Sequence, residues 1–212
     1  MLTPDRLLQA YAMGIFPMAD SRDDPDLHWV EPRMRGIIPL DNFHISRSLR
    51  RSLLRADYEV RVNHDFIGTV RACAAREETW ISHRIEDLYL GLHALGHAHS
   101  CEVWRDGDLI GGTYGVTLGA AFFGESMFSR KTDASKIALA WLVHRLNAGG
   151  FRLFDTQFLT PHLASLGGIA IPARRYQKLL AAALEDEAIF EPEGYCPTAA
   201  RIVHMQSRTH TS

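Results

Sequence analysis

The chain has 212 residues, 46% hydrophobic and 23% charged, a balance that excludes disordered and fibrous classes and suits one large globular core, with or without a small appendage. A formal net charge of −2 excludes a globally basic nucleic-acid binder, so any phosphate-binding surface must be local. Cys73, Cys101 and Cys196 are far apart and odd in number, without zinc spacing, which argues for a reducing, cytoplasmic setting; no signal peptide opens the chain and no apolar run nears ~20 residues, so no membrane span is expected.

In chain order, "TPDRLLQAYAMG" predicts a helix with Thr3 as cap, Pro4 at the first position and Gly14 as terminator. Pro17, Pro25, Pro32 and Pro39 then forbid long regular elements. "GIIPL" reads as a short edge strand, "SRSLRRSLLR" as a short basic helix, "YEVRVN" as a strand and "DFIGTVRACAA" as a helix. Ile85, Leu88, Leu92 and Leu95 recur at helical spacing up to Gly96. Residues 100–126 read as a three-stranded meander with a hairpin at Asp106-Gly107. A long helix follows, capped by Thr132 or Asp133 and stopped by Gly149-Gly150; "FRLFDTQ" is a buried strand, and a helix starts at Pro172. The tail after about residue 190 looks irregular. This order predicts an α/β fold with a mixed sheet.

Three features carry candidate chemistry. Asp155 and Gln157 stand at i, i+2 on an apolar strand, where they share a face; they are either a structural hydrogen-bond pair or part of a ligand site at a strand end. Glu125, in "GESMFSR" after a long apolar run, is either a solvated turn residue or a carboxylate awaiting a cation. Residues 33–61 hold seven arginines against three acidic residues. Arg47, Arg50 and Arg51 lie on one helical face there, either solvated or a phosphate-binding patch. Trp29, Trp80 and Tyr89 are stacking candidates for a base, or core. His93, His97 and His99 have partial metal-ligand spacing, but no glutamate follows His93 and Gly96 interrupts the helix, so packing is the better reading and no metal is expected. No glycine-rich loop for a nucleotide or pyrophosphate is present.

The ordered motifs "YAMGIFPM", "WVEPRMRGIIPL", "FHISRSLRR", "TWISHRIEDLYLGLHALGHAHSCEVW", "LIGGTYGV", "GESMFSR", "ASK" and "FDTQFLTPHLASLGG", spanning residues 11 to 180, resemble the leucyl/phenylalanyl-tRNA–protein transferases. The resemblance implies an acetyltransferase-like catalytic domain over residues 58–212, preceded by a small domain over 1–57 with a tRNA-facing basic segment. It implies transfer of Leu or Phe, with Met as a third donor, from aminoacyl-tRNA to an N-terminal Arg or Lys of a protein, with no cofactor. Asp155 and Gln157 then resemble the family's catalytic pair, and Glu125 its glutamate for the acceptor's cationic end. Phe122, Phe154, Leu142, Met127 and Thr113 stand at pocket positions or beside them, Trp29, Trp80 and Tyr89 at adenosine-stacking ones, and Arg47, Arg50 and Arg51 toward the tRNA backbone. Thr113 replaces an expected Met and Leu142 an expected aromatic, so the resemblance does not carry a Leu-versus-Phe preference across. A different activated acyl donor, or a non-catalytic RNA-binding module, is the competing reading.

Overall fold

The computed structural model describes residues 2–55 and 57–204. Its elements are α1 (Pro4–Ala12), β1 (Phe16–Met18), β2 (His28–Val30), β3 (Met34–Ile37), α2 (Arg47–Arg55), β4 (Glu59–Val62), α3 (Phe66–Ala74) and α4 (His83–Ala94), then β5 (Ala98–Arg105), β6 (Asp108–Leu118), β7 (Ala121–Ser129), α5 (Ala134–Ala148), β8 (Leu153–Gln157), α6 (Pro161–Ser165), β9 (Ile169–Pro172), α7 (Ala173–Leu184) and α8 (Ala199–His204). Local chemistry accounts for most boundaries. Thr3 Oγ1 accepts from Arg6 N at 3.4 Å, and Gly14 leaves α1 at φ +79. Asp106 and Gly107 both take positive φ, as the tight β5–β6 hairpin requires. Asp133 starts α5 without capping it; its carboxylate is taken by Ser52 Oγ at 2.9 Å and Lys136 Nζ at 3.0 Å.

Seven strands form one sheet in the order β4-β5-β6-β7-β8-β3-β9, and β1-β2 form a separate ribbon. Only β7 and β8 run parallel in the large sheet; the other neighbours are antiparallel. The expected α/β mixed sheet is thus observed. Side chains alternate along β7, so that Phe122 joins the core under α2, α5 and α8 while Phe123 joins the one under α1, α3, α4 and α7. Helices therefore cover both faces. No helix among the described residues is long and apolar enough to cross a membrane.

The structure adds to or departs from the expected order in several places, among them the β1–β2 ribbon, which was not expected. "GIIPL" contributes to β3, which is not an edge but lies between β8 and β9. β3, which precedes residue 57, pairs with β8 and β9, which come after it. Both α6 and β9 were absent from the expected order; they are five and four residues long, too short for a period to show. The tail beyond residue 190 includes α8, whose Ile202 and Val203 are buried against the α2–α5 side; residues 205–212 lie outside the described ones. Ile202→Ala should cost about 2–5 kcal/mol of unfolding free energy in a urea titration; an unchanged midpoint would mean that α8 does not dock.

Candidate active site

The site lies where two parallel strands part. β7 and β8 pair only through Ala121–Leu153, Phe122–Phe154 and Phe123–Asp155, although β7 continues to Ser129 and β8 to Gln157. Past that point they diverge, and a pocket of about 450 Å³ opens between Gly124–Met127 on one side and Thr156–Phe158 on the other. Phe154, Leu139 and Leu163 make part of its wall apolar. Gly124 allows this packing: a Cβ there would sit 2.7 Å from Phe154 Cε2.

Glu125 enters the pocket through a β-bulge. Tyr114 pairs with Ser126 and Gly115 with Gly124, so Glu125 is the extra residue, and a bulge re-aims the side chain it carries. Glu125 is 8% exposed. Tyr11 OH donates to its Oε1 and Tyr89 OH to its Oε2, both at 2.6 Å, and Gln157 Nε2 donates to Oε1 at 3.2 Å. Burial pushes the Glu125 pKa up to about 7, against the opposing pull of the two tyrosine hydrogen bonds. Burial and the adjacent carboxylate in turn hold both phenols neutral, well above their usual range.

Asp155 stands one layer behind and does not line the pocket. It is fully buried and receives four donors: Arg35 Nε at 2.9 Å and Nη2 at 2.6 Å, Tyr176 OH at 2.8 Å and the backbone N of Gln157 at 2.8 Å. A carboxylate occupied in this way has no geometry left for a substrate proton. It bonds the main chain of Gln157, two residues on, in an Asx-type turn. Gln157 sits at φ +56, a left-handed conformation that costs a residue with a side chain about 1–2 kcal/mol. The carboxylate holds it there, and the turn places the Gln157 amide beside Glu125. The two residues thus relate through the backbone of Gln157 rather than through its side chain.

Of the expected pocket residues, Thr113, Met127 and Phe154 line the cavity. Phe122 and Leu142 do not; both are core residues behind it, at 1% and 0% exposure. Trp80 lines the cavity, with Met18 and Phe16. Trp29 pairs with Pro17, so it faces away from Phe16 and Met18 into a separate cleft beside α1. Tyr89 is fully buried and bonded to Glu125, leaving no ring face for a base. Arg47, Arg50 and Arg51 are exposed on α2 as expected, but Arg35, counted with them, is buried against Asp155. The three histidines are packed: His93 Nδ1 donates to Ala98 O at 2.7 Å, His97 Nδ1 to Thr117 O at 3.2 Å, and His99 stacks on Phe190. Sequence reasoning missed Arg35, Tyr176 and Tyr11. Arg35 had a legible signal, since an arginine beside "GII" in a strand pattern needs a buried carboxylate partner.

The family model described as "Leucyl/phenylalanyl-tRNA protein transferase" matches residues 37–181, and that of the family's N-terminal domain matches residues 1–33. A leucyl/phenylalanyl-tRNA–protein transferase of Cereibacter sphaeroides is 67% identical over 209 residues, 98% of this chain and 97% of that protein. One from a Ruegeria species is 59% identical across 100% of this chain and 99% of its own. A solved structure of L-PGS from Bacillus licheniformis superposes with a TM-score of 0.41 at 13% identity, over 96% of this chain and 70% of that one, too distant a match to say anything of the site. The chain is an aminoacyltransferase. It belongs to the leucyl/phenylalanyl-tRNA–protein transferase family.

Arg35→Met would strand the buried Asp155 carboxylate and should cost about 3–5 kcal/mol of stability. Tyr176→Phe, which removes one donor of four, should cost about 1.5–3 kcal/mol. Chemical denaturation of both variants tests this, and equal small losses would contradict a buried, mutually dependent pair.

Proposed function

We propose that this protein transfers Leu or Phe, with Met as a third donor, from aminoacyl-tRNA to the N-terminal Arg or Lys of acceptor proteins, creating a degradation signal. The observation that carries this reading is the buried Glu125 carboxylate, bonded to Gln157 at the edge of a largely apolar pocket. An acceptor with N-terminal Arg or Lys brings two cations, the side chain and the α-ammonium. A poorly hydrated carboxylate favours such a partner strongly.

The reaction is aminolysis of an ester. A C–N bond forms, the ester C–O bond breaks, and the proton released by the amine ends on the ribose oxygen. No metal or cofactor is required, because the donor is already activated. A free α-ammonium has a pKa of about 7.7–8.0, close to the value of about 7 to which burial raises Glu125. Proton passage between them is therefore nearly isoenergetic, which is what a base at neutral pH needs. Gln157 commits Nε2 to Glu125, leaving Oε1 to accept from the amine. Asp155 acts as a positioning residue through the Gln157 backbone. Thr113, Met127, Phe154, Leu139 and Leu163 take the donor side chain, whose burial is worth about 1.5–3 kcal/mol. Trp80 and Met18 flank the terminal adenosine, and Arg47, Arg50 and Arg51 meet acceptor-stem phosphates. The segment before residue 57 contributes twice in this reading, through the α2 arginines and through Tyr11 and Arg35 in the site.

Radiolabelled Leu from Leu-tRNA should label a peptide beginning with Arg but not one beginning with Ala, with no metal, CoA or ATP added. Labelling of neither would point to another acyl donor or to a binding module. In the same assay kcat/KM should fall as pH drops through about 7, because a protonated Glu125 neither attracts the ammonium nor takes its proton. Glu125→Gln should lose about 10²-fold or more in rate and move that limb up to the acceptor amine's own value of about 7.7–8.0. Tyr89→Phe should move the limb to higher pH, since it removes a donor that favours the ionised carboxylate; a limb unmoved in both variants would take Glu125 out of the chemistry.

A further inference from the structure

The sheet ends next to the site on a short edge that carries no charge. At the far end, β4 carries Glu59 and Arg61, ion-paired at 2.7 Å, as exposed edges generally do to repel stray strands. At the near end, β9 reads Ile-Ala-Ile-Pro and bears no charge. Among the described residues, no hydrogen bond reaches its outer side.

The ladder register shows which groups that edge offers. Ala173 N donates to Arg33 O at 3.0 Å, and the same register pairs Met34 with Pro172, Arg35 with Ile171, Gly36 with Ala170 and Ile37 with Ile169. Bonded and non-bonded pairs alternate in an antiparallel ladder. Ile171 and Ile169 therefore bond to β3, while Ala170 turns its N–H and C=O outward. Pro172 turns only a C=O outward, and its missing N–H costs no ladder bond. The same alternation sorts the faces except at the strand's start, where Ile169 is 39% exposed. Arg35, Ile37 and Ile171 are buried, whereas Met34 is 50% exposed and Ala170 and Pro172 are also exposed. Phe158, 46% exposed, continues this apolar ledge into the pocket, which it also lines, and its ring meets Phe16 edge-on.

Gly36 pairs with Gln157 on one side and with Ala170 on the other, so the three lie in one row. Two strand spacings separate Gln157 from the free edge by about 10 Å. An extended chain covers about 3.3 Å per residue. The backbone of Phe158 and Leu159 covers Gly36, at 2.5–2.7 Å from where a Cβ would stand, so a chain leaving the pocket must pass over Phe158 first.

We propose that the outer edge of β9, with the Met34–Pro172–Phe158 ledge, is a docking strand for the acceptor polypeptide. The acceptor's first residue lies at Glu125 and Gln157, and its fourth to sixth residues add to the sheet by main-chain bonds centred on Ala170. Backbone pairing of this kind is indifferent to sequence, which suits an enzyme whose acceptors share only their first residue. The inference rests on the aminoacyl-transfer reading above. It further requires the acceptor to present an extended N-terminal segment of about six residues.

The test compares an Arg-Ala dipeptide amide with an eight-residue acceptor, Arg followed by Ala and Ser, in the labelled-Leu transfer assay. KM should be at least about 5-fold lower for the longer acceptor at similar kcat. N-methylation of residues 4–6 of that acceptor should return KM to the dipeptide value. Ala170→Lys and, separately, Met34→Lys should raise KM for the long acceptor and leave the dipeptide unaffected. A KM independent of length, or of N-methylation, overturns the docking strand while leaving the transfer reaction standing; so does a concentration-dependent dimer abolished by Ala170→Lys with no effect on KM, which would give the edge to a second copy of the chain. Failure to label either peptide overturns the transfer reading itself.

Discussion

The buried pair of Arg35 and Asp155 is the interaction on which the rest of the site depends. Its guanidinium is 1% exposed, lies over the rings of Phe16 and Tyr176, and donates to Gly14 O at 2.8 Å as well as to the carboxylate. Burying two charges brings little net stability, because desolvation offsets most of their attraction. What such a pair does supply is intolerance of error: each partner is expensive to leave alone. The end of α1, β3, β8 and α7 are consequently held in one arrangement. Gln157 inherits its position from that arrangement through the main-chain bond to Asp155.

Two backbone irregularities then complete the site on this frame. The bulge at Glu125 and the left-handed Gln157 each break the strand they end or interrupt. Together they bring a carboxylate and an amide from diverging strands to 3.2 Å. Had both strands stayed regular, the parallel ladder would have continued and no gap would exist. The buried tyrosines supply the hydrogen bonds that keep Glu125 titrating near neutrality rather than far above it, so the electrostatic setting of the site comes from α1 and α4, well outside the strands that carry Glu125 and Gln157.

The elements that were legible in the sequence are those whose determinants are local. Thr3, Pro4 and Gly14 mark α1 within a dozen residues, Asp106-Gly107 marks its hairpin alone, and the apolar spacing of α4 extends over three turns. The elements that were not legible depend on partners far away. β9 is a strand only because β3 lies beside it, and α8 is ordered by burial of Ile202 and Val203 against helices more than fifty residues earlier. The site divides in the same way. Glu125, Gln157, Thr113, Met127, Phe154 and Trp80, named from the sequence, line the pocket, whereas Phe122, Leu142, Tyr89 and Trp29 do not. Burial and strand register sort those two groups, and neither is encoded in a motif's spacing.

By itself the sequence determined the α/β class, the family, and a short set of candidate residues: a carboxylate after an apolar run, an Asp/Gln pair, a local excess of arginine. Tertiary structure alone decided their surroundings. Asp155 went to Arg35 and away from the pocket, Tyr89 went to Glu125 and away from any base, and the strand after "SLGG" became an uncharged edge in line with Gln157. The physical reason is that a side chain's type is fixed by its own position. Its charge state, exposure and partners are set by what the remainder of the chain brings within a few ångströms of it.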